Sequence, residues 1–379
     1  MSYETDSLLP VEMIRGLNYQ TPFFLFSKEK IVQEYRRFGQ CFPDASIYYA
    51  IKANPEREVL KTLVSTGCGF EAASVQELRL LKELNVPAER IIYGSCVKAA
   101  SQIAEFYDYG VQIYAADSYS ELEKIAATAP TSKVFIRVRV EDAGSAFRFS
   151  EKFGTGVQNV VPMLSEAQRL GLQPYGISFH VGSQASNVMA WADALHTISP
   201  VLSDLKEAGI GAEMINIGGG FPCDYASANN GLTLENISEQ TLPGLAALPY
   251  RPRLILEPGR RMVASSAVLV TSIIGRVRRG RKTWLFLDAG VYNALFEALA
   301  CQASIRYKVT SFGADSTDDQ MAFALAGPTG DGLDIITRET RLPKVTGVGD
   351  KIIIHDTGAY SLALSSEFNG FSKPGVYFV

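Results

Sequence analysis

Lys52 is the residue of this chain whose type and position most directly suggest covalent chemistry. It follows an apolar stretch, residues 47–51, that is typical of a buried strand, and it precedes the turn residues Asn54 and Pro55. Burial lowers the pKa of an ammonium group, so the amine becomes a nucleophile that forms a Schiff base with an aldehyde. Alternatively, the lysine extends its charged end into solvent at the strand end. This segment alone leaves both interpretations open.

The sequence also contains a pattern that suits a phosphate group. Gly218, Gly219 and Gly220 follow one predicted strand, and Gly259 and Arg260 follow the next. Glycine allows backbone N–H groups to turn toward an anion at close range. A flexible turn also explains three glycines in a row, but the arginine at the following strand end favours a phosphate site.

Two more residues at predicted strand ends fit an aromatic cofactor. Glu257 is a carboxylate at a buried strand end, where it needs a cationic partner such as a protonated pyridine nitrogen. His180 either is a hydrogen-bonded core histidine or lies flat against a ring. A Schiff-base lysine, a phosphate cradle and a carboxylate for a ring nitrogen together describe a site for pyridoxal 5′-phosphate. This cofactor takes up carbanion character formed at the α-carbon of a substrate.

A regular framework must position these residues, and the sequence supplies eight predicted strands, each but the last followed by a helical pattern. This alternation indicates an α/β fold, either a parallel (β/α)8 barrel of the TIM type or an open doubly wound sheet, and the count favours the barrel. Active sites of such barrels lie at the carboxyl ends of the strands, which adds Glu71 and Arg137 to the candidates. The predicted strands are residues 47–51, 68–72, 91–93, 111–115, 133–140, 175–181, 213–217 and 253–257.

After about residue 263 the pattern changes to β-like segments with few helices, which predicts a second, mostly antiparallel β domain. A strand at residues 21–27 precedes the barrel and is expected to join that domain. The predicted organisation is an N-terminal segment of the β domain (1–27), a cofactor-binding barrel (28–262) and a C-terminal β domain (263–379). The β-like segments are residues 268–277, 283–288, 321–325, 351–355 and 375–379.

Composition excludes several classes of function. The 379 residues carry a net charge of -4, so there is no basic field for nucleic acid, and no apolar run is long enough to span a membrane. The five cysteines show no metal-ligand spacing and are odd in number. With a polar, acidic N-terminus unlike a signal peptide, they are expected to be reduced thiols in a cytoplasmic protein without a bound metal.

Six motifs resemble those of a known family, the fold type III pyridoxal-phosphate decarboxylases of ornithine, lysine, diaminopimelate and arginine. The similarity covers residues 20–375, is nearest to the ornithine/lysine branch, and implies a barrel like that of alanine racemase. The motifs are Tyr49-Ala-Ile-Lys-Ala-Asn54, His180-Val-Gly-Ser183, Gly218-Gly-Gly-Phe-Pro222, Glu257-Pro-Gly-Arg260, Gly327-Pro-Thr-Gly-Asp331 and Gly358-Ala-Tyr360.

The resemblance implies roles for individual residues. Lys52 would hold the cofactor as a Schiff base, Glu71 would orient the lysine, His180 would stack on the ring, and Glu257 would pair with the ring nitrogen. The phosphate would be bound by Ser183, Gly220, Arg260 and Tyr360, and the other implied cofactor contacts are Arg137, Gly218, Gly219 and Gly259.

The family also implies a homodimer in which two subunits share each site. Asp331, Tyr292 and Phe368 would line the substrate pocket, with the 327–334 loop supplied by the partner subunit. Lys152 would pair with Asp334 across the interface.

One departure from the family pattern is Gly330, which stands where relatives have a cysteine that helps to protonate the α-carbon after carbon dioxide leaves. Glycine has no proton to donate. Three outcomes are open. The quinonoid intermediate is protonated elsewhere, giving decarboxylation-dependent transamination or oxidative deamination; water or another side chain donates the proton; or the glycine makes room for a larger substrate.

A second departure lies in residues 288–302, where relatives place an acidic residue that holds the distal amine of ornithine or lysine. Here Ala300, Cys301 and Gln302 occupy that region, and Glu297 lies earlier. A pocket with one acid fewer binds a second ammonium group less well. The sequence therefore predicts decarboxylation of a basic or modified basic amino acid. A racemase on the same barrel fits the motifs less well, and a non-catalytic regulatory relative that binds a protein partner is a further alternative.

Overall fold

The computed structural model describes residues 9, 11–225, 232–301, 304–312 and 319–379, so Gln302 lies outside the described part of the chain. The chain divides into two compact units. The barrel unit comprises Glu34–Pro222 and Leu232–Gly259. The β unit comprises Met1–Gln33, Cys223–Gly231 and Arg260–Val379, as far as these ranges are described.

Strands and helices alternate through the first two thirds of the chain. In chain order the strands of the described residues are β1 (Phe23–Phe26), β2 (Ala45–Ala50), β3 (Gly69–Ala72), β4 (Ile91–Tyr93), β5 (Ile113–Ala116), β6 (Lys133–Arg137), β7 (Ser145–Phe147), β8 (Gln173–Ser178), β9 (Ser183–Ala185), β10 (Met214–Asn216), β11 (Arg253–Leu256), β12 (Ala267–Arg279), β13 (Lys282–Leu287), β14 (Val309–Ser311), β15 (Gln320–Ala326), β16 (Ile335–Pro343), β17 (Lys351–Ile354) and β18 (Gly375–Phe378).

The α-helices of the described residues are short and mostly amphipathic. In α3, for example, Val59, Leu60 and Leu63 form the buried face. In chain order the helices are α1 (Val11–Arg15), α2 (Lys28–Cys41), α3 (Arg57–Ser65), α4 (Val75–Glu83), α5 (Ala100–Tyr109), α6 (Tyr119–Thr128), α7 (Val160–Arg169), α8 (Ala190–Glu207), α9 (Leu234–Ala246), α10 (Arg260–Val263) and α11 (Phe296–Ala300).

Eight strands of the barrel unit close into a barrel in the order β10, β11, β2, β3, β4, β5, β6 and β8, with every neighbouring pair parallel. Each of the eight predicted strands is present, so the predicted barrel is confirmed. Most of their residues are apolar and almost fully buried, as Tyr48, Tyr49 and Ala50 of β2 illustrate. Because the strands are parallel, their carboxyl ends all lie at one end of the barrel.

The β unit contains a mostly antiparallel sheet, also as predicted. Its main path runs β14, β17, β12, β13, β15 and β16, and β1 pairs with both β12 and β18. The pairs β13–β15 and β1–β18 are parallel. Strand β16 was not predicted, because it lies at the end of this path and carries exposed Arg338 and Glu339 instead of a continuous apolar run.

The described residues also bear on membrane spans, metal sites and disulfide bonds. No helix among the described residues is long and apolar enough to cross a membrane. Within the same ranges, no group of three or more His, Cys, Asp or Glu side chains is arranged to hold a metal ion. The cysteines at positions 41, 68, 96, 223 and 301 are free thiols.

Candidate active site

Lys52 lies in a tight turn, Ile51–Ala53, directly after β2. Asn54 stabilises this turn, because its carbonyl oxygen accepts a hydrogen bond from the Tyr49 hydroxyl (3.0 Å) and its side-chain Oδ1 accepts one from the backbone N–H of Glu56 (2.9 Å). Of the two positions that the sequence left open for the amine, the structure has the exposed one, with 48% of the Lys52 side chain accessible. Its Nζ forms an ion pair with Glu71 Oε2 at 3.0 Å. The amine is therefore accessible and held in place by a charged partner.

Glu71 lies on β3, with 3% of its side chain exposed. Gly94, which follows β4, leaves the space that this carboxylate occupies. A Cβ at Gly94 would lie 2.5 Å from Glu71 Oε1. The ion pair between Lys52 and Glu71 thus depends on a glycine that the sequence analysis did not identify.

Glu77, near the start of α4, is a second carboxylate of this region that the sequence analysis did not assign to the site. Its side chain accepts a hydrogen bond from the backbone N–H of Ala73 at 2.7 Å, and its own N–H donates to the Ser74 side chain that caps the helix. Burial raises the pKa of Glu77 to about 7, and Glu71 acts in the same direction, whereas the charge of Lys52 opposes the shift. Glu77 is therefore an electrostatic neighbour of Lys52 as well as part of the helix cap.

Glu257 follows β11 and is linked through Asn216 to the glycine loop. Asn216 Nδ2 donates a hydrogen bond to Glu257 Oε1 at 2.7 Å, and Asn216 Oδ1 accepts one from the backbone N–H of Gly218 at 2.8 Å. Burial raises the pKa of Glu257 to about 7, and Glu71 adds to that shift. Lys52, the hydrogen bond from Asn216, and Arg137 act in the opposite direction and favour the ionised carboxylate.

The loop after β10 requires its three glycines. Gly218 and Gly220 have positive φ angles of 69° and 94°. A Cβ at either position would collide with a backbone carbonyl oxygen, of Phe179 and Gly182 respectively. A Cβ at Gly219 would lie 2.5 Å from the carbonyl oxygen of Glu257. Close approach between backbone segments therefore excludes other residues here, as a cradle for an anion demands.

His180 follows β8 and is held by the backbone. Its Nδ1 accepts a hydrogen bond from the N–H of Gly182 at 3.0 Å, so the proton of the neutral ring lies on Nε2. Burial lowers the pKa of this imidazole well below its ordinary value, and the positive charges of Arg137 and Lys52 add to the shift. The ring of Phe149 meets it edge-on at 5.0 Å. His180 is therefore a neutral, fixed ring at physiological pH.

The remaining predicted residues of the barrel unit lie near the same strand ends. Arg137 is the last residue of β6, with its guanidinium carbon 5.3 Å from the centre of the Phe153 ring. Ser183 begins the short strand β9 and is 8% exposed. Gly259 follows β11, and a Cβ there would lie 3.0 Å from Cβ of Ala53.

Arg260, in the β unit, is bound by a carboxylate that the sequence did not connect to it. Glu297 forms two hydrogen bonds with its guanidinium group, at 2.5 Å and 2.6 Å, and the Tyr225 hydroxyl is 3.1 Å away. The centre of the Tyr360 ring lies 4.6 Å from the guanidinium carbon of Arg260. The backbone of Tyr360 has a positive φ of 53°. Both charged side chains are almost fully buried, 3% and 4% exposed. Glu297 is thus committed to Arg260.

The predicted substrate residues of the β unit also form a group. The rings of Tyr292 and Phe368 lie 4.5 Å apart, and the pKa of Tyr292 is raised by desolvation and by the nearby charge of Asp331. Phe368 is 41% exposed. Gly330 is exposed, and no atom lies within 4 Å of the position a Cβ would take. A side chain at this position would fit without strain.

The two predicted interface residues differ in their surroundings. Asp334 is 2% exposed, and its carboxylate accepts hydrogen bonds from the N–H of Val291 (2.9 Å) and from the N–H and hydroxyl of Thr329 (3.0 and 2.7 Å). It therefore fixes the 327–334 loop within its own unit. Lys152 is exposed, with Nζ 5.0 Å from the centre of the Phe153 ring. Their pairing across a dimer stays a prediction.

We expect Glu77→Gln to stabilise the cofactor-free protein more at about pH 8 than at about pH 5. The pKa of Glu77 is raised to about 7, so the folded state binds this proton more tightly than the unfolded state, and its ionisation costs stability as pH rises through that value. Glutamine keeps the hydrogen bond from Ala73 but never ionises. Urea unfolding at both pH values measures the difference. Glu83→Gln, an exposed change on the same helix, is the control, and an equal effect of Glu77→Gln at both pH values would contradict the prediction.

The residues at the end of the barrel fit pyridoxal phosphate. An accessible, ion-paired lysine suits an aldehyde, and a carboxylate held by an amide donor suits a ring nitrogen. The cradle of glycines, where any Cβ would collide with the backbone, suits a phosphate.

Comparisons with known proteins agree with this fit. Residues 28–264 match the family model described as pyridoxal-dependent decarboxylase, pyridoxal binding domain. The chain is 32% identical to a lysine/ornithine decarboxylase of Selenomonas ruminantium, over 93% of this chain and 88% of that protein. It is 32% identical to antizyme inhibitor 2 of Xenopus laevis, over 94% of this chain and 80% of that protein. A solved structure of SrLDC with PLP and cadaverine matches with a TM-score of 0.88 and 30% identity, over 97% of this chain and 92% of that one. The chain therefore belongs to the fold type III family of pyridoxal-phosphate-dependent amino-acid decarboxylases.

Proposed function

We propose that this chain decarboxylates a basic or modified basic amino acid, with Lys52 as the covalent anchor of the cofactor. The observation that carries this function is the arrangement at one end of the barrel. There the amine of Lys52 is paired with Glu71, while Asn216 joins Glu257 to the glycine loop. A cytoplasmic location remains a prediction from the five free cysteines.

When bound, pyridoxal phosphate supplies an electron sink for the electron pair left by the departing carboxylate. The amine of Lys52 would hold the cofactor, and Glu71 would keep the amine oriented. Glu257 would pair with the ring nitrogen and favour its protonated form. His180, a neutral imidazole, would stack on the ring without adding a positive charge beside it. The backbone N–H groups of residues 218–220 and Ser183 would hold the phosphate, and the family resemblance implies further phosphate contacts from Arg260 and Tyr360.

The substrate class follows from which acids are available. Glu297 is bound to Arg260, so it does not offer a carboxylate to a distal ammonium group. We therefore assign Asp331, which lies beside Tyr292 and Phe368, to the distal amine of the substrate. One carboxylate and two aromatic rings suit a substrate side chain that ends in a modified or secondary amine better than the primary amine of ornithine or lysine.

The function is tested by incubating the purified holoenzyme with a panel of basic and N-modified amino acids and measuring carbon dioxide release. Products are then identified by mass. We expect release with at least one modified basic amino acid at a higher kcat/KM than with ornithine or lysine. Highest activity with unmodified ornithine or lysine would contradict the preference for a modified side chain, and no release from any amino acid would contradict the function itself.

Gly330 supports a second candidate outcome of the same chemistry. It offers no proton donor for the α-carbon of the substrate, so an amine product needs water or another side chain as donor. Without one, the product is an aldehyde or ketone, and the amino group stays with the cofactor. The two outcomes differ in the mass of the product and in the recovery of pyridoxal phosphate after turnover.

We expect Gly330→Cys to shift the products toward the amine, because the open space around Gly330 accepts a thiol as a proton donor. Mass spectrometry of products from the wild type and the variant, with and without added pyridoxal phosphate, measures the ratio. Gly330→Ala, which fills the space without a donor, is the matched control. An unchanged product ratio in Gly330→Cys would remove Gly330 from the account of product choice.

The similarity to an antizyme inhibitor makes a non-catalytic, partner-binding relative a reasonable alternative. Retention of Lys52, Glu257 and the glycine cradle supports the enzyme instead. Absence of bound cofactor in the purified protein, even after addition of pyridoxal phosphate, would favour the alternative.

We further propose that the active protein is a homodimer with shared sites, in which Lys152 meets the partner subunit around the loop fixed by Asp334. Sedimentation equilibrium measures the mass. A monomer at the concentrations used for activity would contradict the dimer.

A further inference from the structure

Asn216 is the last residue of β10 and is completely buried. Its backbone belongs to the barrel, pairing in register with Ser178 of β8 and Ile255 of β11. Its carbonyl oxygen also accepts a hydrogen bond from the N–H of Phe179 at 3.0 Å. Asn216 is therefore a rigid point from which a side chain can be aimed.

The direction of the Asn216 amide is determined by its neighbours. A backbone N–H only donates, so the contact with Gly218 at 2.8 Å identifies the side-chain oxygen, Oδ1. The other end, Nδ2, is then the one that faces Glu257 Oε1 at 2.7 Å, and it donates. The side-chain amide of asparagine is uncharged and does not titrate near neutral pH. The carboxylate of Glu257 thus has a permanent donor on one of its two oxygens.

We propose that Asn216 is a positioning residue that keeps Glu257 ionised and aims its second oxygen at the ring nitrogen of the cofactor, while its other end fixes the first glycine of the phosphate cradle. This role rests on the proposed function. In this role, one neutral side chain connects the carboxylate for the ring nitrogen with the glycine loop for the phosphate.

Electrostatics around Glu257 explain why a neutral donor is needed. Burial and the carboxylate of Glu71 raise the pKa of Glu257 to about 7. Lys52, Asn216 and Arg137 act against this rise, in that order. The amine of Lys52 would be engaged by the cofactor, whereas the amide of Asn216 contributes to the ionisation of Glu257 whether or not the cofactor is bound.

The role is tested by comparing two ligands, pyridoxal phosphate and its deaza analogue, in which a carbon replaces the ring nitrogen. Both carry the same aldehyde and phosphate, so the ratio of their dissociation constants reports the interaction with the ring nitrogen alone. We expect the wild type to prefer pyridoxal phosphate. In Asn216→Leu this preference should fall by about tenfold or more, as expected for the loss of a hydrogen bond to a charged group. Loss of the Gly218 contact weakens both ligands equally and leaves the ratio unchanged.

Asn216→Asp is the conservative variant. A proton shared between Asp at this position and Glu257 replaces the amide donor, because two carboxylates this close cannot both ionise. This variant should keep the preference near neutral pH and lose it in a different pH range from the wild type. In Asn216→Leu the preference should return partly as pH rises, because removal of the donor raises the pKa of Glu257.

Asn187→Leu, an exposed change in the same unit, is the control and should leave the ratio unchanged. If Asn216→Leu does not fold, Asn216→Ala is measured in the same way. A wild-type ratio in the folded variant, or equal weakening of both ligands, overturns the role of Asn216 and leaves the proposed function standing. Binding of neither ligand by the wild-type chain overturns both.

Discussion

Replacement of Lys52 by alanine should abolish decarboxylation, with kcat lowered by about a thousandfold or more, a loss at least as large as that of a positioned acid–base group. The amine lies on a short turn directly after β2 and is held 3.0 Å from Glu71, while almost half of the side chain is accessible. Alanine removes the nucleophile and leaves the barrel strand intact. Carbon dioxide release under single-turnover conditions measures the loss.

Lys52→Arg separates covalent chemistry from charge. Arginine keeps a cation beside Glu71 but is not a nucleophile at neutral pH, so this variant should be as inactive as Lys52→Ala. Lys61→Ala, an exposed lysine of the same unit, should retain wild-type activity. Substantial activity in Lys52→Arg would show that only the positive charge matters at this position.

Glu257→Gln should lower kcat by about a hundredfold to a thousandfold, the range found when a preorganised electrostatic contact to the reacting system is lost. Glutamine has nearly the same volume and still accepts the hydrogen bond from Asn216, so the fold should be retained. It cannot balance a protonated ring nitrogen, and the cofactor then withdraws electrons less strongly. The loss should be measured as kcat at saturating cofactor, where the lysine and phosphate contacts still hold the cofactor in the variant.

The pH profile provides a second readout for Glu257. Since the pKa of this carboxyl is raised to about 7 in the absence of ligand, binding of the cofactor by the wild type should strengthen as pH rises through that value. Glu257→Gln should lack this step. Glu213→Gln, an exposed glutamate of the same unit, is the control and should keep it. Wild-type kcat in Glu257→Gln would exclude a role for this residue at the ring nitrogen.

The sequence was sufficient for the framework and for the residues at its strand ends. Alternating strands and helices have few stable packings, and in a parallel barrel residues such as Lys52, Glu71 and Glu257 must meet at one end wherever their exact bounds lie. The glycine run was also readable, because positive φ and close backbone approach leave glycine as the one suitable residue at Gly218 and Gly220.

The features that could not be predicted from the sequence depend on contacts between segments that are distant along the chain. Asn216 has no property that distinguishes it from a strand-end residue until Glu257, 41 positions away, is placed beside it. The fork between Arg260 and Glu297 likewise spans 37 positions. The exposure of Lys52 could not be decided from the sequence, because an apolar strand before the lysine says nothing about the space beyond the strand end. These contacts determine the charge of Glu257 and the availability of Glu297, and the availability of Glu297 bears on the choice of substrate.

Reduction of the holoenzyme with borohydride, followed by peptide mapping, tests most directly whether Lys52 is the covalent anchor. Borohydride converts a lysine–cofactor bond into a stable amine, so the modified lysine keeps the mass of the reduced cofactor through digestion. We predict that the label is found on the peptide containing Lys52 and is absent from the same peptide of Lys52→Ala. Label on a different lysine, or unlabelled Lys52 in a protein that contains stoichiometric cofactor, would contradict the assignment.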